Sequence, residues 1–136
     1  NNAGGIKVLK YGMTRQWVAG IKVVTGAGDI LDMNKSLIKN NTDYDLQQLF
    51  IGAEGTLGFI VEATMRLTRP PTNLTVMLLA IPKLEALLKV LEKFQAGLEL
   101  TAFEFFSEQA LQKVTENRQL QRPCDEVSDY YALIEF

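Results

Sequence analysis

The sequence contains no histidine and a single cysteine, Cys124. Without histidine, the commonest general base and the commonest metal ligand are both missing, and no metal site or catalytic residue is expected in this stretch. One cysteine cannot close an internal disulfide, so nothing here points to an oxidising compartment. No apolar run approaches the ~18 residues that suggest a membrane span. The opening Asn1-Asn2-Ala3-Gly4-Gly5 has neither the charged nor the apolar part of a signal peptide. It also lacks a starting Met, and the chain stops within a strand-like run, Ala132 to Phe136, so both ends are expected to be cut. Positive charge is not in excess: the net charge is −2, which argues against a partner that is nucleic acid. What is present is ordinary for a soluble globular chain, 47% apolar and 22% charged. A length of 136 residues suits one usual domain or two incomplete ones.

The first seventy residues read as β-rich. Trp17 to Thr25 is apolar and β-branched, Gly26 to Asp29 punctuates it, and Asp29 to Met33 alternates, which predicts a hairpin. Ser36 to Tyr44 is polar and irregular, and Asp45 is placed to cap a short helix through Phe50. Phe59 to Thr68 alternates as a strand, with Phe59, Val61, Ala63, Met65 and Leu67 forming its apolar side and Ile60 grouped with Glu62 and Thr64. Arg69-Pro70-Pro71 is the strongest boundary signal, because two prolines block helix and ladder alike. Beyond it come a strand over 74–81, a helix to about Gln95, and a strand over 100–106. A helix capped by Ser107 and a last strand over 129–136 complete the order. In the first helix Leu84, Leu87, Leu88, Leu91 and Phe94 form one apolar stripe, read as core packing. The order β-α-β-α-β is that of an incomplete ferredoxin-like unit.

Two glycine-rich segments could carry chemistry: Asn2-Ala3-Gly4-Gly5 with Gly12 after it, and Gly52 to Ile60. Glycine admits positive φ and lets a ligand approach the backbone N–H groups, and consecutive inward N–H groups make a concavity for a pyrophosphate. Neither segment has dinucleotide-fingerprint or P-loop spacing. The alternative is that these glycines serve only turns and bulges between strands. The residues alone leave both readings open.

In one order the chain carries N-A-G-G, V-x-G-I-K-V-V-T-x-x-G-D-I-L from Val18, N-T-x-Y-D-L-x-Q-L-F-I-G-A-E-G-T-L-G-F-I from Asn41, and Arg69-Pro70-Pro71. This arrangement resembles the FAD-linked oxidases of the vanillyl-alcohol oxidase superfamily, and within it the D-2-hydroxy acid dehydrogenase branch. L-T-A-F-E-F-F and Y-Y-A-L-I-E-F extend the resemblance over essentially the whole chain. It implies an α+β fold: the C-terminal half of a PCMH-type FAD-binding domain over 1–70, then a partial ferredoxin-like substrate (cap) domain over 71–136. It implies FAD as cofactor, with Asn2, Ala3, Gly4 and Gly5 beside the flavin and Arg15 to Val18 contacting it through backbone. Glu54, Gly55, Gly58 and Ile60 would be a further cofactor contact. A carboxylate facing a pyrophosphate would be repelled, so Glu54 is expected to accept from N–H groups or hydroxyls, or to brace the loop. Two departures from the branch are Asp43 where Gly is usual and Lys10 where Arg is common.

The implied activity of the parent enzyme is oxidation of a D-2-hydroxy acid to the 2-oxo acid by hydride transfer to flavin. Its partners would be the hydroxy acid and an electron acceptor, with a homodimer left open. The expected compartment is cytoplasmic, with a peripheral association with the inner membrane left open. The branch's pyrophosphate loop lies upstream of its N-A-G-G segment, and its metal-binding and catalytic histidines lie further along the substrate domain. Arg15, Arg66, Arg69, Arg118 and Arg122 are read mostly as solvated charges, and none is nominated as catalytic. The rival classes are a non-enzymatic ligand-binding module and a fragment that pairs strands between chains.

Overall fold

The computed structural model describes residues 1–34 and 44–136. These form two compact units, one of Asn1–Gly5 with Gly12–Pro70, the other of Ile6–Tyr11 with Pro71–Phe136. A purely linear division at residue 70 therefore leaves out one feature, since residues 6–11 pack with the later half of the chain. The irregular stretch expected over 36–44 lies outside the described residues up to position 43.

The first unit is built on β1 (Val18–Val24), β2 (Ile30–Asp32) and β3 (Phe59–Met65), in the antiparallel order β2-β1-β3. The hairpin forms where glycine and β-branched residues predict it. Thr25 N–H donates to Asp29 O at 2.9 Å, Asp29 N–H donates to the Thr25 hydroxyl at 3.2 Å, and Gly28 takes φ +88°. Val18, Ile21, Val23 and Ile51 make the core, with Met33, Phe50 and Ile60 packed against it. The β1–β3 ladder shifts register twice, between Val18 and Gly20 and between Lys22 and Val23. The second shift corrects the strict alternation expected of β3. Glu62 pairs with Lys22 but Ile60 pairs with Val23, so Val61 is the extra residue and Ile60 turns to the core. The side read as apolar is left outside, with Phe59 72% and Leu67 92% exposed. Helix α2 (Gln47–Phe50) forms, but the Asp45 carboxylate accepts from the Gln47 and Gln48 side-chain amides at 3.4 Å rather than capping the backbone.

The second unit contains α1 (Val8–Tyr11), β4 (Val76–Ile81), α3 (Glu85–Gln95), β5 (Ala102–Ser107), α4 (Glu108–Arg118) and β6 (Tyr130–Glu135). Its sheet order is β4-β6-β5, with β6 antiparallel to both neighbours in unbroken register. Ile81, Leu87, Leu100, Ala132 and Ile134 are the core. Each such aliphatic side chain contributes about 1.5–3 kcal/mol by leaving water. Ser107 caps α4 as its sequence position predicts, accepting from Ala110 N–H at 3.2 Å. The stripe expected on α3 is rotated. Leu87, Val90, Leu91 and Phe94 face the core, while Leu84 and Leu88 are 47% and 67% exposed. A helix turns about 100° per residue, so Leu88 lies a quarter-turn round from Leu87.

Candidate functional site

The two glycine-rich segments meet inside the first unit. Thr14 N–H donates to Ala3 O at 3.1 Å and the Thr14 hydroxyl donates to the same oxygen at 2.5 Å. Arg15 N–H donates to Asn2 Oδ1 at 2.8 Å. The Arg15 guanidinium then reaches the other segment, donating from Nη2 to Ile51 O at 3.0 Å. Gly52, at φ +92°, sits so close that an added Cβ would lie 3.3 Å from Asn2 Cβ and 3.6 Å from Arg15 Nη2. Two segments some fifty residues apart in sequence are thus joined around one cation.

The surroundings of that cation suit a polar or anionic ligand. Arg15 Nε is buried without a hydrogen-bond partner among the described residues. Gly5 and Gly55 hold φ +77° and +83° and have open space where a Cβ would stand. The loop bonds itself from Ala53 N–H to Phe50 O and from Thr56 N–H to Ala53 O, leaving the Glu54 and Gly55 N–H groups without a protein acceptor among the described residues. Open backbone N–H donors and a guanidinium held in place are groups that suit an anionic or carbonyl-bearing ligand.

The remaining expected residues divide. Asn2, Ala3 and Arg15 are the joint itself, and Gly4 and Gly5 continue from it. Glu54 is exposed at φ +53°, and its carboxylate has no partner among the described residues, so it braces nothing there. Gly58 has a packing reason: an added Cβ would lie 2.7 Å from Val23 Cγ1 and 2.8 Å from Val24 O. Val18 and Ile60 belong to the core, and bring only their backbone to the sheet. Thr14 and Gly52 were not singled out as site residues from sequence, although the glycine of Gly-Ala-Glu-Gly was a usable signal. Asp43 lies outside the described residues.

A second polar cluster was missed altogether. Arg122 makes a two-pronged contact with Glu108, at 2.7 and 3.0 Å, and also donates to Tyr131 Oη at 2.9 Å. Tyr131 Oη donates to Glu108 Oε2 at 2.6 Å and accepts from Ser128 N–H at 3.0 Å, while its ring stacks on Phe106 at 5.5 Å. Hydrogen bonds from Arg122 and then Tyr131 hold the Glu108 carboxyl down at about 2, and the same carboxylate raises Arg122. Burial, then Glu108, pushes the Tyr131 phenol up. Two of the cations read as solvated, Arg15 and Arg122, are therefore part-buried and engaged. The Arg122 charge is paired with Glu108, although Arg122 Nε is buried without a hydrogen-bond partner among the described residues, and the cluster ties the 119–129 loop to α4 and β6 with the character of a structural clamp. Among the described residues no group of three or more histidine, cysteine or carboxylate side chains could hold a metal, and no helix is long and apolar enough to cross a membrane.

The fold is shared with solved structures of alkyldihydroxyacetonephosphate synthase. One crystal form matches with a TM-score of 0.70 at 20% identity, covering 100% of this chain and 27% of the synthase. A second form gives a TM-score of 0.69 at 19% identity. At that identity the likeness speaks for the fold alone. No family model matches the chain. Among curated proteins it is 62% identical over 135 residues to a D-2-hydroxyglutarate dehydrogenase of Stutzerimonas stutzeri, covering 99% of this chain and 29% of that protein. It is 53% identical to one from Xanthomonas citri, and 40% identical to the mitochondrial protein of Rattus norvegicus. Over nearly its whole length the chain is thus similar to D-2-hydroxyglutarate dehydrogenases. It spans about 29% of the length of the Stutzerimonas relative.

Proposed function

We propose that this chain is a cofactor-holding segment of an FAD-dependent dehydrogenase that oxidises a D-2-hydroxy acid, with D-2-hydroxyglutarate as the first substrate to test. The observation that carries the reading is 62% identity over 135 residues to a protein of that name. The geometry supports it, because the stretch over which the two are alike includes the joint of Asn2, Ala3, Arg15 and Gly52. In this reading the first unit is the C-terminal half of a PCMH-type FAD-binding domain. The second is the start of a ferredoxin-like substrate domain, in which β4-α3-β5 flanks β6 as a split β-α-β.

FAD, when bound, supplies the hydride acceptor, and the redox chemistry is the cofactor's own. This chain's residues bind and orient. The open N–H groups at Glu54 and Gly55 and the exposed backbone of Gly4 and Gly5 donate to cofactor oxygens. Arg15 fixes the two segments against each other and places positive charge beside them. Gly58 keeps the loop flat against β1, and Val18 and Ile60 anchor the strands beneath. No residue here is assigned to the proton or hydride step, and the hydroxy acid and the electron acceptor would be met by parts of the protein beyond these residues.

The test is a flavin titration read by quenching of flavin fluorescence. The 136-residue chain should bind FAD weakly or not at all, since it spans only 29% of the length of that relative. The whole encoded protein should carry flavin that is bleached by D-2-hydroxyglutarate. Whole protein that carries flavin but is bleached by no 2-hydroxy acid would sink the reading.

A further inference from the structure

Within the first unit, Thr14 spends two donors on one oxygen. Its N–H reaches Ala3 O at 3.1 Å and its hydroxyl reaches the same atom at 2.5 Å. A carbonyl oxygen has two lone pairs, so Ala3 O is fully engaged. One residue along, Arg15 N–H donates to Asn2 Oδ1 at 2.8 Å and holds the preceding residue against the same stretch. Asn2, Ala3, Gly4, Thr14 and Arg15 all belong to this one unit.

The pairing has a consequence on the other side of the peptide. Ala3 C=O and Gly4 N–H lie in one planar group, and no peptide bond among the described residues is cis. The two therefore point in opposite directions. Holding the oxygen on Thr14 turns the Gly4 N–H away from Thr14, where Gly4 is exposed and its N–H meets no acceptor among the described residues. Glycine makes such control necessary. Lacking a Cβ, Gly4 tolerates either orientation of the peptide before it. Any residue at position 14 could supply the backbone donor, and the hydroxyl is what threonine adds.

We infer that Thr14 is a positioning residue for the ligand-binding backbone. Its hydroxyl holds the Ala3–Gly4 peptide in one orientation, with the Gly4 N–H presented as a donor to an acceptor atom of the ligand. Thr14 acts through that peptide, and no contact of its own with the ligand is required. That the ligand is a flavin rests on the proposed function; the orientation of the peptide is a property of this chain.

Thr14→Val removes the hydroxyl and keeps the N–H. In the whole encoded protein the variant should bind FAD about fivefold more weakly, the loss expected of one hydrogen bond. The visible band of the flavin at saturation should also shift, and Thr14→Ser should restore both. Unchanged affinity overturns the inference. So does weaker binding with an unchanged band, because a merely structural threonine would act in that way. Should Thr14→Val fail to fold, Thr14→Ala removes the same hydroxyl without a branched side chain and is read identically. Wild-type protein that binds no FAD removes the proposed function, and the peptide is then decided without ligand. In the 136-residue chain, the Gly4 amide of Thr14→Val should show microsecond-to-millisecond exchange by NMR relaxation dispersion that the wild type lacks. Matching dispersion profiles in the two chains overturn the inference.

Discussion

The sheet of the second unit runs through six consecutive pairs on each side of β6 without a shift, whereas β1 and β3 fall out of step twice. The two units also spend their glycines differently. The first holds positive φ at Gly5, Gly12, Gly28, Gly52 and Gly55, and at Glu54 as well; the second has no glycine among its positive-φ positions. Regular ladders and a closed aliphatic core stabilise a structure through side chains. Bulges, left-handed residues and close backbone approaches weaken a ladder, and they persist where a surface must be shaped. The second unit is thus built for packing, and the first for presenting backbone. We call the first unit the wall and the second the scaffold.

The largest effect should come from the scaffold. Ile134 is fully buried at the centre of its cluster, so Ile134→Ala should cost about 2–5 kcal/mol in denaturant unfolding. Exchange protection should fall across β4, β5 and β6 first. A loss of protection that begins instead in β1 to β3 would break the contrast.

In the wall, the corresponding test adds an atom. Gly58→Ala drives a Cβ to within 2.7 Å of Val23 Cγ1 and 2.8 Å of a carbonyl oxygen that cannot move alone. Overpacking of this kind should cost about 1–3 kcal/mol. Gly55→Ala meets open space and should cost only the left-handed strain, about 1–2 kcal/mol. Thermal melts of the two variants check the order. If Gly55→Ala proves the worse, the loop is constrained by something other than contact with β1.

The clamp gives the second unit a pH dependence of its own. Glu108 is held at about 2 in the folded chain, against an ordinary 4.5. A depressed carboxylate contributes stability that is fully present above its unfolded pKa and is lost as pH falls through the folded one. The melting temperature should therefore drop between about pH 4.5 and pH 2, and Glu108→Gln should lower it at pH 7 while flattening that slope. An unchanged slope in the variant would show that Glu108 is not the group responsible.

How much of this could be read in advance follows the same division. The hairpin, the Ser107 cap and the strand order of the second unit rest on local signals, namely turn glycines, a cap residue and period-two or period-3.6 patterning. The joint of Asn2, Arg15 and Gly52 depends on residues distant in sequence, and no spacing announces it. The turn of Ile60 into the core follows from one extra residue at Val61, whose bulge is invisible in a strand of plausible alternation. The grouping of residues 6–11 with the second unit involves ion pairs of Lys7 with Glu135 and Lys10 with Glu99, and such pairs carry no periodicity.

Helix α3 offers the smallest and sharpest test. Its leucines look alike in sequence, and only the phase of the helix separates Leu87 from Leu88. Leu87→Ala should cost about 2–5 kcal/mol, as a buried leucine does. Leu88 is 67% exposed, and Leu88→Gln should change stability by no more than about 0.5 kcal/mol. Denaturant unfolding of the two variants, run side by side, decides it. A near-equal loss would mean that the outer face of α3 is covered in solution, and the scaffold unit would then be presenting a surface just as the wall does.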